Sequence, residues 1–155
     1  DDEVCIPNGD YYIQKDDIVS FVMPRRKNTK LLSMLGLSAD HAIHNCLIVG
    51  GGRSSYYLAQ ILDHMHIRVT IIEIDKARCE ELCVQLPNAV IIHGDGTDAE
   101  LLKEEGLLTI DSFVALTNID EQNIFLTMHA KRYSNAKVIT KIKRTNFKRC
   151  FKSNR

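Results

Sequence analysis

The chain has 155 residues, of which 45% are apolar and 26% charged, and its formal net charge is zero. This length suits one main domain with a real core, and the composition excludes a disordered chain and a fibrous repeat. No apolar run approaches the roughly 20 residues of a membrane-spanning helix. The scattered cysteines and histidines, without a CxxC pair, predict no metal site. Because the chain begins without Met or a leader, we expect a piece of a longer polypeptide.

Basic residues are concentrated toward the end of the chain. All 20 acidic residues lie at or before Glu121, and 10 of the 20 basic residues follow it. Such a segment could contact nucleotide phosphates, an acidic partner or an anionic membrane surface, or it could simply be a solvated face. No recognition motif with interleaved aromatic residues accompanies these charges, so nucleic acid is not an expected partner.

The first 36 residues lack the alternating pattern of the rest. Residues 12–22 alternate apolar and polar side chains as a β-hairpin does, and Pro24 precedes a short basic segment with helical character that ends near Gly36. We interpret residues 1–36 as the tail of a preceding domain and residues 37–155 as the main domain.

From residue 44 onward, strand and helix patterns alternate. Residues 44–49 predict an apolar strand, residues 56–66 a helix, and residues 68–74 a β-branched strand buried on both faces. The helix should bury one stripe, made of Tyr57, Leu58, Ile61, Leu62 and Met65. The later predicted elements are helix 76–85, strand 89–93, helix 98–105, strand 112–117, helix 120–133 and strand 137–142. This order predicts an α/β fold, a Rossmann-like doubly wound parallel sheet with helices on both faces.

A glycine motif lies directly between the first strand and the first helix of this pattern. Gly50, Gly52 and Ser55 occupy the three glycine positions of GxGxxG. Gly50 permits a tight turn, Gly52 lets the backbone approach a pyrophosphate, and free N–H groups at the helix start attract negative charge. Ser55 should loosen the helix–strand contact slightly, and its hydroxyl is a candidate donor to a phosphate. The candidate binding residues here are Gly50, Gly51, Gly52, Arg53, Ser54 and Ser55.

An acidic residue completes the dinucleotide-binding pattern. Glu73 lies 21 residues after Gly52, at the end of the second predicted strand, where such an acid accepts hydrogen bonds from ribose hydroxyls. Its carboxylate should repel a 2′-phosphate and so disfavour NADP, although Lys76 and Arg78 lie nearby. Ile74 beside it is a further candidate contact. The competing interpretation of Glu73 is a solvated acid at a strand end.

Two more polar segments follow predicted strands, at the edge where open α/β sheets bind their ligands. Asp95 could bond an adenine amino group, whereas Asp98 is better explained as a helix cap. The pair Thr117-Asn118 could contact phosphate or the distal half of a dinucleotide, or could be only a strand-to-helix turn. The candidates of these segments are Asp95, Gly96, Thr97, Thr117 and Asn118.

With these residues the sequence resembles the RCK domain, the regulator of potassium conductance, and within it the TrkA N-terminal domain family. The resemblance rests on CLIVGGGRSSYYLAQIL, VTIIEIDKARCEEL, VIIHGDGTDAELLKEEGL and DSFVALTNIDEQNIFLTMHAKRY, in that order. It covers about residues 44–145. The opening IPNGDYYIQKDDIVSFV resembles the closing hairpin of an RCK C-terminal subdomain, which implies that residues 1–36 end one RCK copy and residues 37–155 begin another.

The resemblance implies a non-enzymatic gating subunit of a Trk-type potassium uptake system. Such a subunit is cytoplasmic and peripheral to the inner face of the cell membrane, through a potassium-translocating membrane subunit, and assembles as a homo-oligomer, a dimer or larger ring. Its regulatory ligand would be NAD(H) or ATP/ADP. The resemblance assigns phosphates to the glycine turn with Arg53, ribose to Glu73 and the adenine side to Asp95. It assigns the remaining phosphates or second nucleoside to Thr117 with Asn118.

Two other functions stay open. The chain could be the cofactor domain of an NAD-dependent oxidoreductase, since fold alone does not exclude it. That enzyme needs a substrate domain and a general acid or base near the nicotinamide, and no His, Lys or Tyr stands beside a recognisable partner in the sequence. It could also be an assembly module that has lost its ligand, which the serine at position 55 favours. We expect a nucleotide sensor that works by binding.

Overall fold

A computed structural model describes most of the chain, namely residues 6–20, 22, 24, 28–36 and 43–144. The chain divides into two compact units, Asp1–Asp40 and His41–Arg155. Residues 145–155, which carry part of the basic segment, lie outside the described residues. The assignment of the first unit to a preceding domain stays a prediction.

The first unit contains a helix where the sequence predicts one. Helix α1 covers Asn28–Met34. Over residues 12–22 the described residues form no strand, so the predicted hairpin is not found among them; only a tight turn forms, where Asp17 N–H donates to Gln14 O at 3.3 Å. The apolar side chains of this segment are exposed, among them Tyr12, Ile13 and Ile18. A two-stranded hairpin with no partner to cover its apolar face is at best marginally stable.

The second unit alternates strands and helices over its whole described length. Its elements are β1 (Asn45–Val49), α2 (Arg53–His64), β2 (Arg68–Glu73), α3 (Lys76–Gln85), β3 (Val90–His93), α4 (Ala99–Glu104), β4 (Ser112–Ala115), α5 (Asp120–Tyr133) and β5 (Lys137–Thr140). The predicted order of strands and helices is confirmed. Among the described residues, no helix is both long and apolar enough to cross a membrane.

The five strands form one sheet in the order β3-β2-β1-β4-β5, and each neighbouring pair is parallel. This order confirms the predicted Rossmann-like doubly wound fold. The neighbouring inner strands β1 and β4, NCLIV and SFVA, are apolar almost throughout because helices cover both faces. Strands β2 and β3 lie on one side of β1, and strands β4 and β5 lie on the other, so the strand order reverses between β1 and β4. Ligands of open α/β sheets bind at the carboxyl ends of the strands at such a reversal.

Successive residues of the strands point into two separate cores, one on each face of the sheet. One core contains Cys46, Ile48, Val69, Ile71 and Val114, with Ala59 of α2 and Leu82 of α3. The other contains Leu47, Val49, Ile72, Phe113 and Ala115, with Leu102 of α4 and Leu126 and Ala130 of α5. The period of two along each strand therefore fixes which helix a given residue packs against.

Helix α2 is rotated relative to the stripe predicted for it. Tyr57, Ile61 and Met65 are 55%, 59% and 53% exposed, so their assignment to the buried stripe is wrong. The buried residues of α2 are Ser55 and Ala59, and these small side chains let the helix lie close to the sheet. Apolarity alone could not show this, since the residues that face the sheet most closely, Ser55 and Ala59, are small and contribute little to a hydrophobic stripe.

Candidate functional site

A cleft of about 330 Å³ lies at the carboxyl ends of the central strands. Small-molecule sites occupy clefts of roughly 300 to 1,000 Å³, so this one can accept a nucleoside-sized group. A second depression, between α2 and the loop that follows α3, measures about 20 Å³, room for roughly one water. The cleft is lined by Val49, Gly50, Gly52, Ile72, Glu73, Ile74, Asp95, Gly96, Thr97, Leu116, Thr117, Asn118, Ile119 and Gln122.

Gly50 opens the turn between β1 and α2, and no other residue type fits its position. Its φ is +100°, a conformation that side chains disfavour. A Cβ atom there would lie 2.9 Å from the carbonyl carbon and oxygen of Leu116 and 3.0 Å from the nitrogen of Thr117. The prediction of a tight turn at Gly50 is confirmed. The close approach also brings the β1–α2 turn against the β4–α5 turn, so two segments far apart in sequence form one wall of the cleft.

Glu73 ends β2 with its carboxylate directed at the glycine turn. Its Oε2 atom accepts a hydrogen bond from Gly51 N–H, and its Oε1 atom accepts from Asp75 N–H at 2.9 Å. A Cβ atom on Gly51 would lie 2.7 Å from Leu82 Cδ1 and 3.0 Å from Glu73 Cγ. Gly51 therefore permits the contact with Glu73, a role that the motif did not reveal. Each carboxylate oxygen retains a lone pair that a ribose hydroxyl could use.

The first turn of α2 supplies hydrogen-bond donors. Its N-cap, Gly52, makes no side-chain cap, and the helical hydrogen bonds begin with Tyr56 N–H to Gly52 O at 3.1 Å. The N–H groups of Arg53 and Ser54 therefore have no helical acceptor, and the helix dipole places partial positive charge there. Among the described residues other than its two chain neighbours, none has an atom within 4 Å of a Cβ atom built on Gly52, so an anion has room to approach.

Ser55 has a different role from the candidate one. It is completely buried, and its hydroxyl donates to Gly50 O. The Ser55 hydroxyl, which the sequence offered as a donor to a phosphate, therefore donates to the backbone of the turn instead. The buried hydroxymethyl group packs under the motif and links the helix to the turn that precedes it.

The β3–α4 loop is organised by two aspartates. Asp95 Oδ1 accepts from the N–H and the hydroxyl of Thr97, at 2.9 and 2.8 Å, and these bonds hold the pKa of the Asp95 carboxyl below its ordinary value. Asp98 is the N-cap of α4 and accepts from Glu100 N–H at 2.9 Å, so the capping interpretation is confirmed. Gly96 is buried, and a Cβ atom there would overlap the side chain of Val49. The loop consequently lies directly against the end of β1.

Asn123, buried in α5, holds the β4–α5 turn. Its Oδ1 atom accepts from Thr117 N–H at 2.9 Å and from the Thr117 hydroxyl at 2.8 Å. Its Nδ2 atom donates to Thr117 O at 3.1 Å and to Lys141 O at 3.0 Å. The Thr117 side chain is thus engaged within the turn, while both Thr117 and Asn118 still line the cleft.

Asp120 attaches the segment after β5 to this same turn. Its carboxylate accepts from the backbone N–H groups of Lys143, at 3.0 Å, and Arg144, at 2.8 Å. Those two bonds, the Lys143 bond first, hold the pKa of the Asp120 carboxyl below its ordinary value. The Lys143 ammonium donates to Asn118 O at 3.2 Å, which brings positive charge to the rim of the cleft.

The structure brings most of the predicted site residues to one cleft. Those that line it are Gly50, Gly52, Glu73, Ile74, Asp95, Gly96, Thr97, Thr117 and Asn118. Gly51, Arg53, Ser54 and Ser55 belong to the same turn and helix start without lining the cleft. Sequence reasoning missed Asn123 beneath the cleft and five residues of its lining, namely Val49, Ile72, Leu116, Ile119 and Gln122. Asn123 lies on the buried side of α5 with the apolar Leu126 and Ala130. A polar residue at a position of the apolar stripe was the sequence feature that could have identified it.

Comparison with known proteins gives the family. Residues 46–154 match the family described as the TrkA-N domain. The chain belongs to that family. The match begins within β1 and includes the glycine turn, Glu73 and both later cleft loops, so the whole candidate site lies inside the family domain.

Curated relatives of this chain are named TrkA. The chain is 41% identical over 137 residues to the Trk system potassium uptake protein TrkA of Halomonas elongata, covering 88% of this chain and 30% of that protein. It is 34% identical over 146 residues to TrkA homolog 2 of Methanosarcina mazei, covering 94% and 32%. The chain thus spans about a third of the length of these curated relatives.

A solved structure supports the fold. The NAD(P)-binding domain of an exopolyphosphatase-related protein from Archaeoglobus fulgidus is similar with a TM-score of 0.61 and 16% identity. The similarity covers 71% of this chain and 80% of that one. At this identity the likeness concerns the fold alone.

Proposed function

We propose that this domain is the nucleotide sensor of a Trk-type potassium uptake system. It binds an adenine nucleotide, NAD(H) or ATP/ADP, in the cleft at the carboxyl end of the sheet. The observation that carries the proposal is the convergence there of the glycine turn, the Glu73 carboxylate and the Thr117-Asn118 turn. The names of the curated relatives support the link to potassium uptake.

Each part of the cleft suits one part of a nucleotide. The free N–H groups at the start of α2, beside the open Gly52, suit phosphates. The Glu73 carboxylate suits ribose hydroxyls and repels a 2′-phosphate, which disfavours NADP. The glycine turn follows β1, Glu73 ends the neighbouring strand β2, and Asp95 follows β3, the next strand outward. The position of Asp95 therefore suits the adenine end of the nucleotide.

Sensing requires only that a ligand bind two conformations with different affinity, since the shift cannot exceed that difference. The cleft has phosphate-binding groups on one turn and Thr117-Asn118 on another. Nucleotides with different phosphate and distal groups would therefore favour different relative positions of the two turns. A coupling of about 1 to 3 kcal/mol is typical of allosteric proteins and is enough to bias a partner.

The proposed partner is a potassium-translocating membrane subunit, and the domain acts beside it as a homo-oligomer, a dimer or larger ring. In this proposal the domain is cytoplasmic and reaches the inner face of the cell membrane only through that partner. The exposed apolar side chains of Phe125 and Met128 on α5, 53% and 66% exposed, support self-association.

Calorimetric titration of the purified chain with NAD, NADH, NADP, ATP and ADP tests the proposal. We expect binding of NAD(H) or of ATP and ADP, with NADP weakest. Hydrogen exchange at residues 50–55 and 117–123 should then differ among saturating NADH, ATP and ADP. Identical protection patterns with all three would argue against sensing, and oxidation of NADH upon addition of a simple carbonyl compound would favour the oxidoreductase alternative.

A further inference from the structure

Arg78, in the first turn of α3, makes a specific contact with the glycine turn. Its Nε atom donates to Gly51 O at 2.7 Å, across 27 residues of sequence. One terminal nitrogen of the same guanidinium donates to Glu81 at 2.6 Å, three residues along the helix. The side chain is only 25% exposed. A planar, half-buried guanidinium held at two points keeps a defined direction.

The contact closes a ring of interactions around Gly51. On one side Gly51 N–H donates to Glu73, and on the other Gly51 O accepts from Arg78. Glu73 in turn accepts from Asp75 N–H, and Asp75 caps α3, the helix that carries Arg78. The candidate ribose acid, the helix start and the glycine turn are thereby one connected unit.

The peptide group between Gly51 and Gly52 needs such a restraint. Three consecutive glycines have few steric limits on φ and ψ, so a peptide between them can rotate at low cost. The peptide is trans, and in a planar trans peptide the C=O and N–H bonds point in opposite directions. Arg78 draws the carbonyl toward α3, so the N–H of Gly52 points away from α3, on a residue that lines the cleft.

We propose that Arg78 is a positioning residue that locks the Gly51–Gly52 peptide, so that the turn offers an N–H group to a nucleotide phosphate. Without it the peptide samples the reversed orientation, in which a carbonyl oxygen faces the phosphate and repels it. This inference rests on nucleotide binding at the cleft, and it predicts that the loss of Arg78 affects the phosphates and not the nucleoside.

The variant Arg78→Ala tests this with two ligands, ATP and adenosine. ATP affinity should fall roughly tenfold, the range for loss of a hydrogen bond to a charged group, while adenosine affinity changes by less than about twofold. Lys76→Ala is the matched control, because it removes an equal, exposed charge from the same helical turn and does not touch Gly51. Lys76→Ala should therefore leave the ratio of the two affinities unchanged.

Hydrogen exchange of the nucleotide-free chain provides a readout that does not depend on ligand. In Arg78→Ala the amide of Gly51, which is buried and donates to Glu73 within this ring of contacts, should exchange several-fold faster, while the β1 amides keep their protection and show that the domain is folded. Unchanged exchange at Gly51, or equal losses of ATP and adenosine affinity, would overturn the proposal. Should the unmodified chain bind no nucleotide, the proposed function fails, and Gly51 exchange alone then decides whether Arg78 holds the turn.

Discussion

Replacing Asn123 with alanine should destabilise the domain by about 3 kcal/mol. Asn123 is fully buried, and the change deletes its hydrogen bonds to Thr117 N–H, the Thr117 hydroxyl, Thr117 O and Lys141 O. Three backbone groups then lose their partner. An unsatisfied buried group costs about 1 to 3 kcal/mol, and the lower end applies here because Thr117 and Lys141 are only partly buried, so water can reach them.

Urea unfolding of the full chain measures this loss as a change in midpoint at constant m-value. Asn118→Ala is the matched control, since Asn118 is an exposed asparagine of the same turn and its loss should change stability by no more than about 0.5 kcal/mol. Asn123→Leu restores most of the volume, so a similar loss in that variant would assign the effect to hydrogen bonds. A loss below about 1 kcal/mol for Asn123→Ala would refute the reasoning.

Three further predictions concern binding, assembly and pH. Glu73→Ala should weaken NAD or ATP binding by roughly 1 to 3 kcal/mol in calorimetry, and unchanged affinity would remove Glu73 from the site. Sedimentation should show a dimer or larger, which Phe125→Ser weakens; a strict monomer at high concentration would contradict self-association through this surface. The lowered pKa of Asp120 stabilises the fold above its unfolded pKa of about 3.9, and this contribution disappears as pH falls through the lower folded value. Acid unfolding of Asp120→Asn should accordingly depend less steeply on pH below about 4, and an unchanged slope would show that Asp120 is not responsible.

Local patterns were sufficient for the fold class and for the position of the glycine turn. The runs in β1 and β2 are apolar because both faces of the sheet are covered, and a run of that kind can be recognised without knowing its neighbours. The tight turn at Gly50 could be predicted because a positive φ depends on the residue itself and on its place between a strand and a helix, not on distant parts of the chain. The alignment of Glu73 with the turn followed from its spacing along one βαβ unit.

The hydrogen-bond partners were decided only by tertiary structure. Ser55 donates to Gly50 O instead of facing a ligand, Gly51 is held by both Glu73 and Arg78, and Asn123 joins Thr117 to the end of β5. The buried side of α2 was likewise set by how closely its small residues approach the sheet. Periodicity reports which residues are apolar and how they are spaced along one element. It carries no information about which polar groups meet when β1, β2 and β4 come together, because those contacts depend on the packing of segments distant in the chain.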